Sequence, residues 1–209
     1  MNPIVEYKKI SAWMQRLVKT PLTPKNFSRR LQYFLRKDYP VIVRTHYSDE
    51  LSYSGISIGG LYEPEYDLVG RNPVIINLIF GCEKNQPYEI EEELVENLSL
   101  DILEVIIHEF RHMHQFRSRD FEYGTRYKSS HSDETIAREQ EYLGGADEID
   151  AYAVNLASRY RILNNLYGYD LEQSIKESND IKSYRKAFVD GDTVLKRLFK
   201  KIVKNINEF

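Results

Sequence analysis

Cysteine is scarce in this chain: Cys82 is the only one among 209 residues. A single cysteine excludes an internal disulfide and a cysteine-rich zinc framework. Any metal ion must therefore be held by histidine and carboxylate side chains, and a reducing compartment is expected.

Long apolar runs are also missing. The longest lies around Val74 to Cys82, which is far too short to cross a bilayer. The N-terminus lacks the basic-then-apolar order of a signal peptide. Glycine and proline are sparse, and no segment is of low complexity. These features predict a folded protein of the cytoplasm with no transmembrane segment.

The overall charge has no excess of positive sign. The chain has 29 basic and 32 acidic residues, a formal net charge of -3. No global basic field indicates a nucleic-acid partner, so none is predicted. The C-terminal helix has lysines on one side, and we interpret it as packed on the core with its lysines in solvent rather than as a membrane-binding helix.

Apolar periodicity predicts an α+β protein that is mainly helical, within one domain over residues 1–209. Helical spacing covers the N-terminal region, 1–40, and alternating residues then predict a small sheet of about three strands in 41–82. Two further helical regions follow, 97–165 and 170–209. Gly59 and Gly60 predict a bend or bulge in the second strand, and Asn97 or Ser99 is expected to cap the long helix after the sheet.

That long helix carries the sequence His108-Glu109-Phe110-Arg111-His112, an HExxH motif. Residues four apart lie on the same helical face, so both histidines can bind one metal ion. Glu109 is turned by about 100° from His108, within reach of a water molecule at that ion. The apolar residues before the motif are typical of a buried helix, which favours a metal site over a pair of structural histidines.

A catalytic zinc site requires a third protein ligand. After a glycine pair, the sequence continues as Glu148-Ile149-Asp150-Ala151-Tyr152-Ala153. An HExxH helix followed by a helix with a glutamate in this setting resembles the gluzincin zinc metallopeptidases. It is most similar to small metallopeptidase-like proteins of phage and other mobile genomes. The resemblance covers residues 98–160 and implies a zincin-like fold.

By this resemblance Glu148 is the third zinc ligand. The small side chains of Ala151 and Ala153 are consistent with it, because they let two helices approach closely. Asp147 and Asp150 remain alternatives, although an acid at the position of Asp147 is already explained by the helix dipole.

Two other histidines are weaker candidates for the site. His114 lies two residues past His112, on another face, and His131 lies in polar loop sequence. Either is explained by exposure to solvent, although a loop histidine could also donate a hydrogen bond to a reacting group.

The chain departs from the family pattern at three positions: Arg111, His114 and Tyr152. The family prefers an uncharged residue at the position of Arg111 and a hydrophobic residue at the position of His114. At the position of Tyr152, thermolysin-like proteins have an aspartate that orients a histidine. Here Asp150 or Asp101 is the alternative for that role.

The resemblance implies a zinc-dependent metallopeptidase, with His108, His112 and Glu148 as ligands and Glu109 as general base. Its substrate would be a protein or peptide, and the strand around Ser54 to Tyr62 is either an edge for an extended substrate or an ordinary sheet strand. The candidates for a donor to the reacting carbonyl are Tyr123, Tyr142, Tyr152, His131 and Arg159.

Two other functions stay open. One is a non-catalytic zinc-binding structural or regulatory protein on the same fold, for example a virion component if the chain is encoded by a phage. The other is an enzyme that hydrolyses a different amide, such as a peptide cross-link of the cell wall.

Overall fold

The structure is a computed structural model that describes residues 1–51, 55–176, 178–189 and 191–208. It has an α+β fold, mostly helical, with a small sheet of three strands in the described part of the chain. This confirms the fold class that the periodicity predicts.

The elements follow one another in the order α1 (Pro3–Gln15), α2 (Pro24–Leu35), β1 (Val41–Tyr47), β2 (Ile56–Tyr62), α3 (Pro64–Leu68), β3 (Val74–Phe80), α4 (Val95–Arg117), α5 (Glu134–Leu143), α6 (Ala146–Tyr167), α7 (Leu171–Lys176), α8 (Asn179–Ala187) and α9 (Thr193–Glu208). A single turn of 3-10 helix, Glu92–Leu94, precedes α4. The three strands lie where alternation predicts them. The expected cap of α4 is wrong, because this helix already begins at Val95 and the Ser99 hydroxyl donates to the Val95 carbonyl inside it, at 2.6 Å.

Contacts divide the chain into two compact units, residues 5–113 and residues 114–209 with 1–4. The division falls inside α4, which is one continuous helix. In the first unit, α2 packs on β1 and the aromatic rings of Trp13 and Phe34 stack at 4.9 Å between centroids.

The sheet has the order β1-β3-β2, with β3 in the centre. β1 pairs with β3 in parallel, and β2 pairs with β3 in antiparallel orientation. The run Val74–Phe80 is mostly buried, as expected for a central strand without polar alternation. Every residue of β2 has one partner on β3, from Ile56 opposite Phe80 to Tyr62 opposite Val74. The strand therefore has no bulge at its glycines, and the bulge that the glycines predict is wrong.

The two outer edges of the sheet differ. On β1, the Gln32 side chain of α2 donates to the Val41 carbonyl at 2.7 Å and accepts from the Val43 amide at 2.6 Å. One amide side chain thus occupies the first carbonyl and amide of this edge, where a neighbouring strand would otherwise pair. Within the described ranges no strand pairs with the outer edge of β2.

In the second unit, the core forms around α6 and α9. Leu156 and Ala157 of α6 pack in one buried cluster with Leu198 and Ile202 of α9. The lysines of α9 that point away from this cluster, such as Lys196 and Lys200, are exposed. This confirms the interpretation of α9 as a packed terminal helix with solvated lysines. In the described part of the chain, none of the helices combines the length and apolar character that a membrane span requires.

Replacing Gln32 with alanine should lower the free energy of unfolding by about 1–2 kcal/mol, because a partly buried carbonyl and amide of β1 lose their partner. Urea unfolding of the full chain measures the change. The matched control is Asn26→Ala on the exposed side of the same helix, which should change the free energy by less than about 0.5 kcal/mol. Equal effects of the two substitutions would contradict the edge-covering role of Gln32.

Candidate metal centre

Helix α4 buries three polar side chains in succession along one part of its surface. His108 and Glu109 are each 7% exposed, and His112 is 9% exposed. Ile106 and Ile107, which precede them on the same helix, are also buried, whereas Phe110 and Arg111 between them are half-buried. Polar groups are costly to bury unless they are hydrogen-bonded or coordinate an ion. This burial therefore requires a specific partner for the motif residues.

The two imidazole rings converge on one point. Their Nε2 atoms lie 3.0 Å apart, and the ring planes meet at 75° with centroids 4.7 Å apart. Two nitrogen ligands of a tetrahedral zinc ion are separated by about 3.3 Å, given Zn–N bonds of about 2.0–2.1 Å. The observed separation fits this geometry closely. It also equals the length of a hydrogen bond between a protonated and an unprotonated imidazole nitrogen.

Glu148, in the first turn of α6, supplies a third donor. His108, His112 and Glu148 form a group that could hold a metal ion, since each offers one ligand atom and these atoms lie within 4.8 Å of one another. Two imidazole nitrogens with one carboxylate oxygen are a set that suits zinc and leaves a position for water.

The alternative acids near Glu148 make ion pairs. Asp147 accepts two hydrogen bonds from the Arg119 guanidinium, both of 2.7 Å, and this contact raises the pKa of Arg119 above its ordinary value. Asp150 accepts from the Lys201 ammonium at 2.5 Å and from Gln115 at 3.2 Å. Both carboxylates therefore have structural partners, and in the described part of the chain the group that could hold a metal contains Glu148 and neither of them.

Gln115 and Arg119 anchor the end of α4 to the start of α6. The Gln115 amide lies three residues beyond His112 and donates to the Asp147 carbonyl at 3.0 Å and to the Asp150 carboxylate. These contacts join the last turns of α4 to the first turn of α6, which carries Glu148. Sequence reasoning missed both residues. The available signal was a glutamine on the face of His112, at the i,i+3 position.

At Gly60, strand β2 passes so close to α4 that there is no room for a side chain. A Cβ atom built on Gly60 would lie 2.5 Å from the Glu109 carboxylate and 2.7 Å from Val105 Cγ1, whereas one on Gly59 would meet nothing within 4 Å. The missing side chain therefore lets the strand pass directly over the carboxylate of the motif. Close approach, and not a bulge, is the physical reason for this residue.

The two weaker histidines have ordinary surroundings. His114 is exposed on α4. His131 is exposed before α5, where its Nδ1 atom accepts a hydrogen bond from the Asp133 amide at 3.0 Å. Two of the candidate donors to a reacting carbonyl also have structural contacts. Tyr123 is 72% exposed and packs on Phe116. Arg159 donates from Nε to the Ser174 carbonyl.

Tyr152 lies close to Glu148. Burial raises the pKa of Tyr152 far above its ordinary value, and the charges of Tyr142, Asp180 and Glu148 and a hydrogen bond with Tyr142 act in the same direction. The ring also packs edge-on against Tyr184, with centroids 5.4 Å apart. Its hydrogen-bond partner Tyr142 is 53% exposed.

Comparisons with known proteins supply no assignment. No protein-family model matches the chain, and neither curated proteins nor solved structures gave a significant match. The geometry of the side chains is therefore the basis for a functional interpretation.

Substituting Gly60 with alanine should destabilise the protein by about 1–3 kcal/mol, because the new methyl group overlaps Glu109 and Val105 in a packed interior. Gly59→Ala is the matched control, one residue away in the same strand with open space around it. Its effect should remain within about 0.5 kcal/mol. Chemical denaturation of both variants gives the comparison, and a Gly60 variant as stable as the Gly59 variant would disprove the close approach.

Proposed function

We propose that this protein is a zinc-dependent metallopeptidase with a zincin-like fold. His108, His112 and Glu148 hold the zinc ion, and Glu109 is the general base. The observation that carries the proposal is the convergence of two buried imidazole nitrogens at 3.0 Å, with Glu109 buried beside them and a third donor from Glu148. This grouping accounts for all four polar side chains at once.

Zinc is the proposed metal because the donors are two imidazoles and one carboxylate. When bound, it supplies Lewis acidity towards an amide carbonyl and towards water. A site with three protein ligands leaves room for the amide carbonyl and for water. Catalytic zinc sites have this open arrangement, whereas structural zinc sites have four protein ligands.

Glu109 performs the proton transfers in this proposal. It follows His108 directly and is turned by about 100° around the helix axis, so it faces the space beside the ligands rather than the metal itself. From there its carboxylate takes a proton from the attacking water and delivers it to the leaving amine. The low exposure of Glu109, 7%, restricts access of bulk water to this carboxylate.

The outer edge of β2 is the proposed site for the substrate backbone. An extended peptide can add to a sheet as a further strand, and Gln32 already occupies the start of the β1 edge. β2 also passes over Glu109 at Gly60, so a peptide along this strand lies near the proposed base. Ser54, at the start of the segment expected from the sequence, lies outside the described residues.

Tyr142 and Tyr152 are the proposed donors to the developing oxyanion. The two side chains are hydrogen-bonded to each other, and the charge of Glu148 acts on Tyr152. A phenol that stays protonated can donate to a negative oxygen throughout the reaction. This pair is distinguished from Tyr123 and Arg159, whose side chains pack on Phe116 and on the Ser174 carbonyl.

Replacing Glu109 with glutamine should preserve one zinc per chain and lower peptidase activity by at least about 100-fold, because the proton acceptor is lost. His112→Ala should lose both zinc and activity. Elemental analysis and cleavage of unstructured proteins and peptides provide the two readouts. Glu93→Gln, at an exposed position before α4, is the control for loss of one negative charge and should retain both properties.

Full activity in the Glu109 variant would contradict the proposed mechanism. A wild-type chain that binds zinc but cleaves no protein, peptide or peptidoglycan would instead establish the non-catalytic alternative. Cleavage of peptidoglycan alone would assign the activity to a cell-wall amide.

Gln115→Met should weaken zinc binding by about 10- to 100-fold, the usual effect of losing a residue that orients metal ligands. Methionine keeps the approximate length of the side chain but cannot donate to the Asp147 carbonyl or the Asp150 carboxylate. The control is His114→Met, at the adjacent exposed position, which should leave the affinity unchanged. Competition with a zinc chelator measures both variants. If only the His114 variant loses affinity, His114 takes part in the site and the anchoring role of Gln115 is wrong.

A further inference from the structure

Charge is strongly segregated along the first half of the chain. Residues 1–44 contain ten basic and two acidic side chains, a local net charge of +8. Residues 45–113 contain three basic and fourteen acidic ones, a local net charge of -11. The overall net charge of -3 is therefore the sum of a strongly basic N-terminal region and acidic sequence after it.

The outer side of α2 concentrates this positive charge. We define its basic face by six exposed residues, Lys25, Arg29, Arg30, Tyr33, Arg36 and Lys37. Helix α2 contains no acidic residue. Among the described residues none of these five cations forms an ion pair with a carboxylate.

Tyr33 lies within this row of cations. Its ring is 57% exposed. The Arg36 guanidinium lies 4.8 Å from the ring centroid, and the Lys37 ammonium lies 5.0 Å from it. An exposed aromatic ring flanked by cations combines the two features with which proteins bind single-stranded nucleic acid: a surface for base stacking and charges for phosphates.

The basic face belongs to a fixed element. The Thr23 side chain caps α2 by accepting from the Asn26 amide, and Phe27, Leu31 and Leu35 bury the opposite side of the helix. Gln32 ties the helix to β1 by two hydrogen bonds. Twelve helical residues span about 18 Å, so the cations form a preorganised row that is long enough to meet several phosphates of one strand.

We propose that the basic face of α2 binds single-stranded nucleic acid, with cations on the phosphates and Tyr33 stacked on a base. The exposed residues of α2 favour this partner over two others. Apart from Tyr33, the basic face offers no apolar side chain that could enter a lipid layer. Because Tyr33 is its only apolar side chain, the basic face also lacks the apolar centre that a stable protein interface requires. The proposal does not depend on the metallopeptidase assignment.

Fluorescence anisotropy with a labelled oligothymidylate and an oligouridylate tests this binding on the full chain. The affinity should fall as salt rises, with a slope in log–log coordinates of about -2 to -3.5 if three to five phosphates are neutralised. Tyr33→Leu should weaken binding about 5-fold or more through loss of stacking and leave the salt slope unchanged.

Charge reversal at Arg29 and Arg36 should weaken binding at least about 10-fold and flatten the salt slope, because several phosphate contacts are lost. The matched control is Lys196→Glu with Lys200→Glu on α9, which changes the net charge equally at exposed positions and should alter affinity less than about 2-fold. Circular dichroism and thermal unfolding verify that all variants fold.

Four results would overturn the proposal. The first is no salt-dependent binding to either oligonucleotide. The second is equal weakening by the α2 and α9 charge reversals. The third is binding only to vesicles that contain anionic lipid, which would identify a membrane partner. The fourth is a change of oligomeric state caused by the α2 reversal without any nucleic-acid binding, which would identify a second copy of the chain.

Discussion

The burial of His108, Glu109 and His112 on helix α4 is the constraint on which the rest of the site depends. These side chains lie on a helix that also buries Ile106, Ile107 and Met113. An apolar interior penalises such groups unless each has a partner of suitable geometry. The two imidazole nitrogens lie next to each other, so a single cation between them can be the partner of both.

The surrounding elements meet this constraint in three ways. Gly60 removes a side chain from β2 where the strand passes Glu109. Gln115 and Arg119 anchor the end of α4 to the start of α6, next to Glu148. Gln32 covers the edge of β1. Of these contacts, the close approach of Gly60 packs β2 against Glu109 itself.

Local patterns in the sequence predict much of this fold, because alternation and helical spacing are properties of neighbouring residues. They identify the three strands, the long motif helix and the packed face of α9. They do not predict the start of α4, since the acidic turn before it continues into the helix, or α3, which is only five residues long. Contacts between distant residues were also missed: Gly60 has the local signature of a bulge, and Gln115 acts through Asp147, 32 positions away.

The same difference applies to the candidate site. The spacing of His108 and His112 on one helix predicts that both can bind one metal ion. The sequence does not show which nearby acid joins them, because the ion pairs of Asp147 with Arg119 and of Asp150 with Lys201 are visible only in the structure.

X-ray absorption at the zinc edge of the purified full chain tests the central claim most directly. We expect one zinc ion with two imidazole nitrogens and one carboxylate oxygen at about 2.0–2.2 Å, plus one oxygen from solvent. A chain that takes up no stoichiometric zinc, or a zinc ion closed by four protein ligands, would contradict the account.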